Sequence, residues 1–270
     1  MQPIFKNDSE VQQYIDAHAG PEQGERLRRM SERPVIIGGC GRSGTTLLLS
    51  VLSCHPNLTC VPYETMGLCP DAFHGIEYNP NPDLDMPFET WKVFEYLLKD
   101  EATQNGTRWC EKTPRNVLYF RQILDYFGDG VRLIHIVRDG RDVVTSRHPH
   151  AEHRFWVPPA RWIQDVGAGC EMDGHPQVFT LRYEDLLYEY ESVLRQICDF
   201  IGEDFHPNFL QYPQTAQVRE SGAWNEPGRK ISTRSIGRWK RAGYIETAQK
   251  LLDDPKAVEL LRHYGYEVDA

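Results

Sequence analysis

The sequence predicts an α/β fold, a parallel sheet flanked by helices, and three observations point to it. Two short apolar runs, residues 35–37 and 133–137, each end in a turn that opens straight into a helix-like stretch. Strand-like and helix-like segments alternate through the rest of the chain, the pattern of a doubly wound sheet. A length of 270 residues with 40% hydrophobic content lies near the upper end of what one core supports, so residues 1–270 are read as a single domain.

In chain order, residues 7–19 read as a capped amphipathic helix closed by Gly20 and Pro21. Residues 22–32 read as a second, charged helix, so that 1–32 form a helical N-terminal segment. Val35, Ile36 and Ile37 make a β-branched strand, Gly38, Gly39, Gly41 and Gly44 permit a tight turn after it, and residues 45–54 are apolar enough for a buried helix. Residues 66–87, rich in Pro, Asn and Asp, read as a long irregular insertion, followed by a helix over 89–103. A short strand leads to Lys112, and Pro114 precedes a helix over 116–127. The strand 133–137 opens a helix through the turn Arg138 to Asp142; a strand over 177–181, a helix over 190–201 and a helical end over 244–264, broken near Pro255, complete the chain.

The first strand–turn–helix unit, a P-loop-like phosphate cradle, has the physical form of an anion site. The first turn of a helix leaves backbone N–H groups without intrahelical partners, and Arg42, Ser43, Thr45 and Thr46 add side-chain donors around them. A nucleoside-triphosphate loop requires a lysine where this chain has Thr45, which disfavours a kinase or ATPase. A dinucleotide loop needs glycines at 39, 41 and 44, all present, and an acidic residue about 20 positions later, where Glu64 stands; spacing alone leaves that alternative open. Weighing against it are the arginine inside the loop and a second anion site downstream. There Arg138 stands at a strand's carboxyl end and Ser146, about two helical turns on, points a hydroxyl to the same side.

Together these residues resemble the sulfotransferase family that uses 3′-phosphoadenosine 5′-phosphosulfate (PAPS) as donor. RSGTTLL at 42–48 is similar to the family's 5′-phosphosulfate loop, and the spacing of Arg138 and Ser146 to its 3′-phosphate site. LRYEDL at 181–186 resembles the strand-end tyrosine segment near the adenosine, and GRKISTRSIGRWK at 228–240 the basic closing loop. The four motifs fall in the family's order over most of the chain. Pro56, Asn57, Glu64-Thr65 and Lys112 in CEKTP resemble the tyrosylprotein and glycan-type branch most closely. Glu64 stands one residue further from the loop arginine than in the tyrosylprotein pattern, and Tyr63 replaces a second glutamate, so acceptor identity is not carried over. The resemblance implies Arg42, Ser43, Gly44, Thr45, Thr46 and Leu47 around the 5′ group, Arg138, Ser146, Arg229 and Lys230 on the 3′-phosphate, and Tyr183 beside the adenine. PAPS would be the co-substrate and adenosine 3′,5′-bisphosphate (PAP) the product, with no metal, since arginine and lysine supply the charge. For the chemistry, Glu64 is the first choice for the base that takes the acceptor proton, Lys112 for the cation at the bridging oxygen, with Arg42 assisting.

The remaining properties bound this reading. A net charge of −9 disfavours nonspecific binding to nucleic acid or anionic membranes. The longest apolar stretch, 47–52, is too short to span a bilayer, and MQPIFKNDSE lacks a signal region, so a cytoplasmic protein is expected. The seven cysteines, at 40, 54, 60, 69, 110, 170 and 198, show no C-x-x-C spacing and are expected to be reduced. If Glu64 and Lys112 converge, Cys60 and Cys110 lie on neighbouring strands, and the family resemblance brings their sulfurs near each other. Residues 219–241 carry seven Arg or Lys residues among glycines and read as a basic flap that orders on phosphate. His148, His150 and His153 read as a polar loop at the acceptor entrance rather than a metal site. The expected partner is a small-molecule, glycan or peptide-tyrosine hydroxyl; the alternatives are a kinase-type P-loop enzyme and a noncatalytic nucleotide-binding member of the fold.

Overall fold

The computed structural model describes residues 9–75, 77–99, 106–148, 151–220 and 230–268. Among these, nine strands form in chain order: β1 (Val35–Gly38), β2 (Leu58–Cys60), β3 (Phe73–His74), β4 (Glu77–Tyr78), β5 (Arg108–Lys112), β6 (Arg132–Val137), β7 (Arg147–His148), β8 (Ala151–Phe155) and β9 (Val178–Arg182). Five of them make one sheet in the order β2-β5-β1-β6-β9, and every neighbouring pair is parallel. The expected parallel sheet flanked by helices is therefore the observed one. β3 with β4 and β7 with β8 form separate antiparallel hairpins.

The central strands read as unbroken apolar runs because helices cover both sheet faces. Val35 and Ile37 of β1 and Ile134 and Ile136 of β6 pack on one side against the helices Thr45–Leu52 and Tyr190–Ile201. Ile36 and Leu133 face the other side, against Pro21–Met30, Trp91–Leu97 and Phe120–Phe127. A third apolar cluster joins Val137 to Pro159–Cys170, Ile245–Leu252 and Pro255–His263, the last two meeting at the break expected near Pro255. Among the described residues, no helix is long and apolar enough to cross a membrane.

Several elements differ from expectation for identifiable reasons. The helix after β6 is only Gly140–Val144, so Ser146 lies past its end rather than two turns inside it; the Thr145 hydroxyl bonds back to the Arg141 carbonyl at 2.7 Å and the chain turns into β7. The insertion at 66–87 is not irregular throughout, because β3 and β4 pair Phe73 with Tyr78 within it. The helix expected over 89–103 is Trp91–Leu97, and 100–105 lie outside the described residues. The segment expected to start a helix at 116 first winds as a 3₁₀ turn, Pro114–Tyr119. Pro159–Cys170 was not anticipated, since its buried face carries Arg161 and Asp165 beside Trp162 and Val166 and so blurs the apolar period. Tyr183–Tyr188 was likewise unforeseen.

One buried histidine gives the fold a pH dependence. His135, in the middle of β6, is fully buried, and neither ring nitrogen has a hydrogen-bond partner among the described residues. Its ring lies against Gly169, where an added Cβ would fall 2.0 Å from Cε1. Burial pushes its pKa down from 6.5 to about 4. Between those two pH values the unfolded chain binds a proton that the folded one does not, so stability is present above pH 6.5 and is lost as the pH falls. Thermal melts should show wild type losing about 2–3 kcal/mol more than His135→Phe between pH 6.5 and 4.5. Equal losses in the two proteins would refute this account.

Candidate functional site

All five strands of the main sheet deliver a candidate residue or loop to the same carboxyl edge. β1 runs into residues 39–44, where Arg42 (φ 70°) and Gly44 (φ 96°) occupy the left-handed region. Such a turn curls backbone amides around a concavity suited to an anion. Gly44 caps Thr45–Leu52 without a side-chain bond, which leaves the first-turn amides open at the same place. An added Cβ at Gly44 would also meet the Tyr183 ring at 2.4 Å, so loop and tyrosine require glycine there. Ser43, Thr45 and Thr46 are buried, Leu47 is partly exposed, and the Ser43 hydroxyl has no hydrogen-bond partner among the described residues.

Beyond β6, three guanidinium groups converge on this loop. Arg138 donates to the carbonyls of Arg42 (3.0 Å) and Ser235 (2.5 Å), lies 4.6 Å from the Tyr183 ring centroid, and keeps a buried Nε with no partner among the described residues. Arg238 donates to the Ser146 hydroxyl at 2.8 Å, bringing that residue to the site despite the short helix. Burial, followed by repulsion from Arg138 and Arg238, pushes the Arg42 pKa down to about 10; burial and Arg138 also lower that of Arg238. Asp142 answers with one carboxylate, 3.9 Å from Arg138. Clustered cations, an orphaned Nε and an orphaned hydroxyl fit a multiply charged anion. Tyr183 opens the helix after β9 and shares a 2.8 Å hydrogen bond with Ser235.

The sequence reading missed Arg238. It assigned Arg229 and Lys230 to this position, yet Arg229 lies outside the described residues and Lys230 is exposed. Both belong to the same basic run, and local pattern does not say which of its cations faces inward. What decides the matter is Asp142, whose carboxylate accepts from the amides of Gly237 (2.7 Å) and Trp239 (3.0 Å) and so orients the loop carrying Arg238.

At the other end of the edge, the Lys112 ammonium and the Glu64 carboxylate are 2.6 Å apart. Lys112 is the last residue of β5, with a side chain 2% exposed, whereas that of Glu64 is 31% exposed and reaches the surface. Lys112 is paired with Glu64 and not with its neighbour Glu111, whose buried carboxylate accepts from Thr65, Thr113 and Asn116 instead. Cys60 and Cys110 are register partners on β2 and β5, with adjacent sulfurs, and both are free thiols; burial pushes the Cys60 thiol well up, and Cys110 adds to it. The segment with His148 and His153 is the β7–β8 hairpin rather than a loop, and His150 lies outside the described residues. Elsewhere Cys170, Asp173 and His263 approach within 4.8 Å, with Asp173 already accepting from Thr180, His263 and Tyr264.

This fold and edge define an α/β protein with a cationic phosphate cradle beside a paired carboxylate and ammonium. The chain belongs to the sulfotransferase family, which matches it over residues 34–207. An uncharacterized protein of Aquifex aeolicus (strain VF5) is 27% identical over 282 residues, and the match spans 87% of this chain but 36% of that protein's length. A candidate protein-tyrosine sulfotransferase of Caenorhabditis briggsae is 24% identical, with 88% of this chain and 91% of that protein covered. The fold is shared with a sulfotransferase domain from the curacin biosynthetic pathway (TM-score 0.57, 16% identity, 87% of this chain and 98% of that one). It is shared too with the sulfotransferase domain of the Synechococcus PCC 7002 olefin synthase (TM-score 0.52, 19% identity, 88% and 95%) and a mouse sulfotransferase complexed with PAP (TM-score 0.51, 15% identity, 94% of each).

The Asp142 clasp can be tested without ligand. Each of its two amide bonds to a charged acceptor contributes about 1.5–3 kcal/mol. Asp142→Ala should therefore open the loop around Arg238 and Lys240 at least roughly tenfold more often, seen as faster tryptic cleavage there by mass spectrometry. An unchanged cleavage rate would remove the clasp.

Proposed function

We propose that this chain transfers a sulfuryl group from PAPS to an acceptor hydroxyl by in-line displacement. The observation that carries the reading is the convergence of Arg42, Arg138 and Arg238 at the end of β6, with the Lys112–Glu64 pair two strands away on the same edge. Arg42, Ser43, Gly44, Thr45, Thr46 and Leu47 hold the 5′ end of the donor through amides and hydroxyls. Arg138, Ser146 and Arg238 hold the 3′-phosphate, with Arg229 and Lys230 on the flap at 219–241 as further cations. Tyr183 borders the adenine. Membership of the family supports this assignment, as do the buried donors that lack partners.

The chemical roles follow from charge and position. Glu64 removes the acceptor proton as the new sulfur–oxygen bond forms, and Lys112, helped by Arg42, stabilises the charge left on the donor's 5′-phosphate as the old bond breaks. The ion pair of Glu64 and Lys112 holds both groups at one reaction centre before substrates arrive. Residues 1–270 act as one domain on this reading. The acceptor carries a hydroxyl on a small molecule, a glycan or a peptide tyrosine. A panel of phenols, sugars and tyrosine peptides incubated with radiolabelled donor distinguishes these classes.

Two measurements test the proposal. Calorimetry without magnesium should give much tighter binding of PAP than of AMP, and Arg138→Ala should weaken PAP about 10- to 100-fold, corresponding to about 1.5–3 kcal/mol. Equal affinities for PAP and AMP would reject the 3′-phosphate site, and tight magnesium-dependent ATP binding would favour a kinase-type enzyme. On a verified acceptor, Glu64→Gln should lower turnover by about 10²–10⁴-fold with PAP affinity little changed, and Lys112→Ala should also depress turnover. Near-normal turnover of Glu64→Gln would place the base elsewhere, and no turnover of any acceptor by wild type that binds PAP would favour a noncatalytic member of the fold.

A further inference from the structure

Next to Lys112 in the chain, on the opposite face of the sheet from the two groups proposed for chemistry, is a third charged residue that does not face solvent. Glu111, the residue before Lys112 on β5, is fully buried, and strand alternation sends its side chain to the opposite face of the sheet. Oε1 accepts from the Thr65 amide (3.3 Å), the Thr65 hydroxyl (3.0 Å) and the Thr113 hydroxyl (2.7 Å), and Oε2 accepts from Asn116 Nδ2 (2.6 Å). The two hydroxyls, while donating to Glu111, accept in turn from backbone: Thr65 Oγ1 from the Gly67 amide and Thr113 Oγ1 from the Met66 amide, both at 3.2 Å. One carboxylate therefore gathers the backbone of residues 65–67, which follows Glu64, and the residues on both sides of Lys112.

The backbone it gathers is not one the chain would adopt unaided. Met66 has φ 56°, in the left-handed region, which a side chain with a Cβ disfavours by roughly 1–2 kcal/mol. Strain of that kind persists only where surrounding bonds over-determine the conformation. The network extends to the phosphate loop as well: Asn116 Nδ2 also donates to the Ile37 carbonyl at 3.3 Å, and the Gly39 amide donates to the Pro114 carbonyl at 2.8 Å. Four donors on a carboxylate with no cation among its hydrogen-bond partners is a demanding arrangement, since an amide in its place presents a donor to groups that are themselves donors.

We infer that Glu111 is a positioning residue, a buried clamp that sets the distance between Glu64 and Lys112 and ties both to the phosphate loop. The inference rests on the catalytic reading of Glu64 and Lys112. Burial raises the Glu111 pKa while the Thr113, Asn116 and Thr65 bonds oppose that rise, consistent with a carboxylate held by donors rather than by a counter-ion.

The test separates positioning from simple support. Displacing a catalytic group by about 1 Å costs up to about 10²-fold in rate, so Glu111→Gln should lower kcat by roughly 10- to 100-fold on a verified acceptor. PAP affinity by calorimetry and the acceptor KM should stay near wild type. Thr65→Val, which removes one arm and leaves the carboxylate, should lower kcat in the same direction, and Thr65→Ser should recover most of it. Should Glu111→Gln fail to fold, Thr65→Val and Thr113→Val carry the same expectation. Folded Glu111→Gln or Thr65→Val protein with wild-type kcat would overturn the clamp, as would a lower melting temperature with kcat unchanged. Glu64→Gln run in the same assay at full turnover would overturn the underlying catalytic reading, a result distinguishable from failure of the clamp alone.

Discussion

Parallel hydrogen bonding of β1 between β5 and β6 is the constraint on which the site depends. Ile37 lies in register with Lys112 on one side and Ile134 on the other, so neighbouring strands leave the sheet at the same level and in the same direction. Residues separated by some 70 to 100 positions in the chain are thereby delivered to one edge. Antiparallel pairing of either neighbour would send Lys112 or Arg138 to the opposite end of the molecule. The apolar interior that holds this register, with Val35, Ile37, Ile134 and Ile136 on one face and Ile36 and Leu133 on the other, is thus also what assembles the cations.

A chain of net charge −9 concentrates positive charge at that edge, and the local environment makes this tolerable. Arg138 is stabilised by two carbonyls, an aromatic face and Asp142. Arg42, even with its pKa lowered to about 10, stays protonated at neutral pH.

Buried arginine alone does not mark a site in this protein. Arg115 donates to Asp165 at 3.1 Å, to Gln164 and to the carbonyls of Ala72 and Asn79, so its donors are consumed in holding the β3–β4 hairpin. Arg108 likewise secures the carbonyls of Arg33 and Ile201. These are structural ties. Arg108 also keeps a buried Nη2 without a partner among the described residues and lies near Arg33, but it stands at the start of β5, whereas Arg138 follows the end of β6, at the carboxyl edge beside Arg42, Arg238 and the Tyr183 ring.

The strand–turn–helix units at 35–54 and 133–142 and the order of the four motifs were legible in the linear chain, and Glu64, Lys112 and Arg138 could be singled out there as candidates, because each reading depends on residues close together in sequence. Glycine placement, β-branched runs and helix-opening turns are local chemistry, and so the parallel sheet and its phosphate loop could be read from them. Tertiary structure alone decided that Arg238, of all the cations in its run, meets Ser146, since that choice is made by Asp142 nearly a hundred residues earlier. It also decided that Lys112 pairs with Glu64 while Glu111 turns to the other face to hold Thr65 and Thr113. The physical reason is common to both: the partner of a buried charge is set by which backbone segments the core packs side by side, and that information is absent from any short window of sequence.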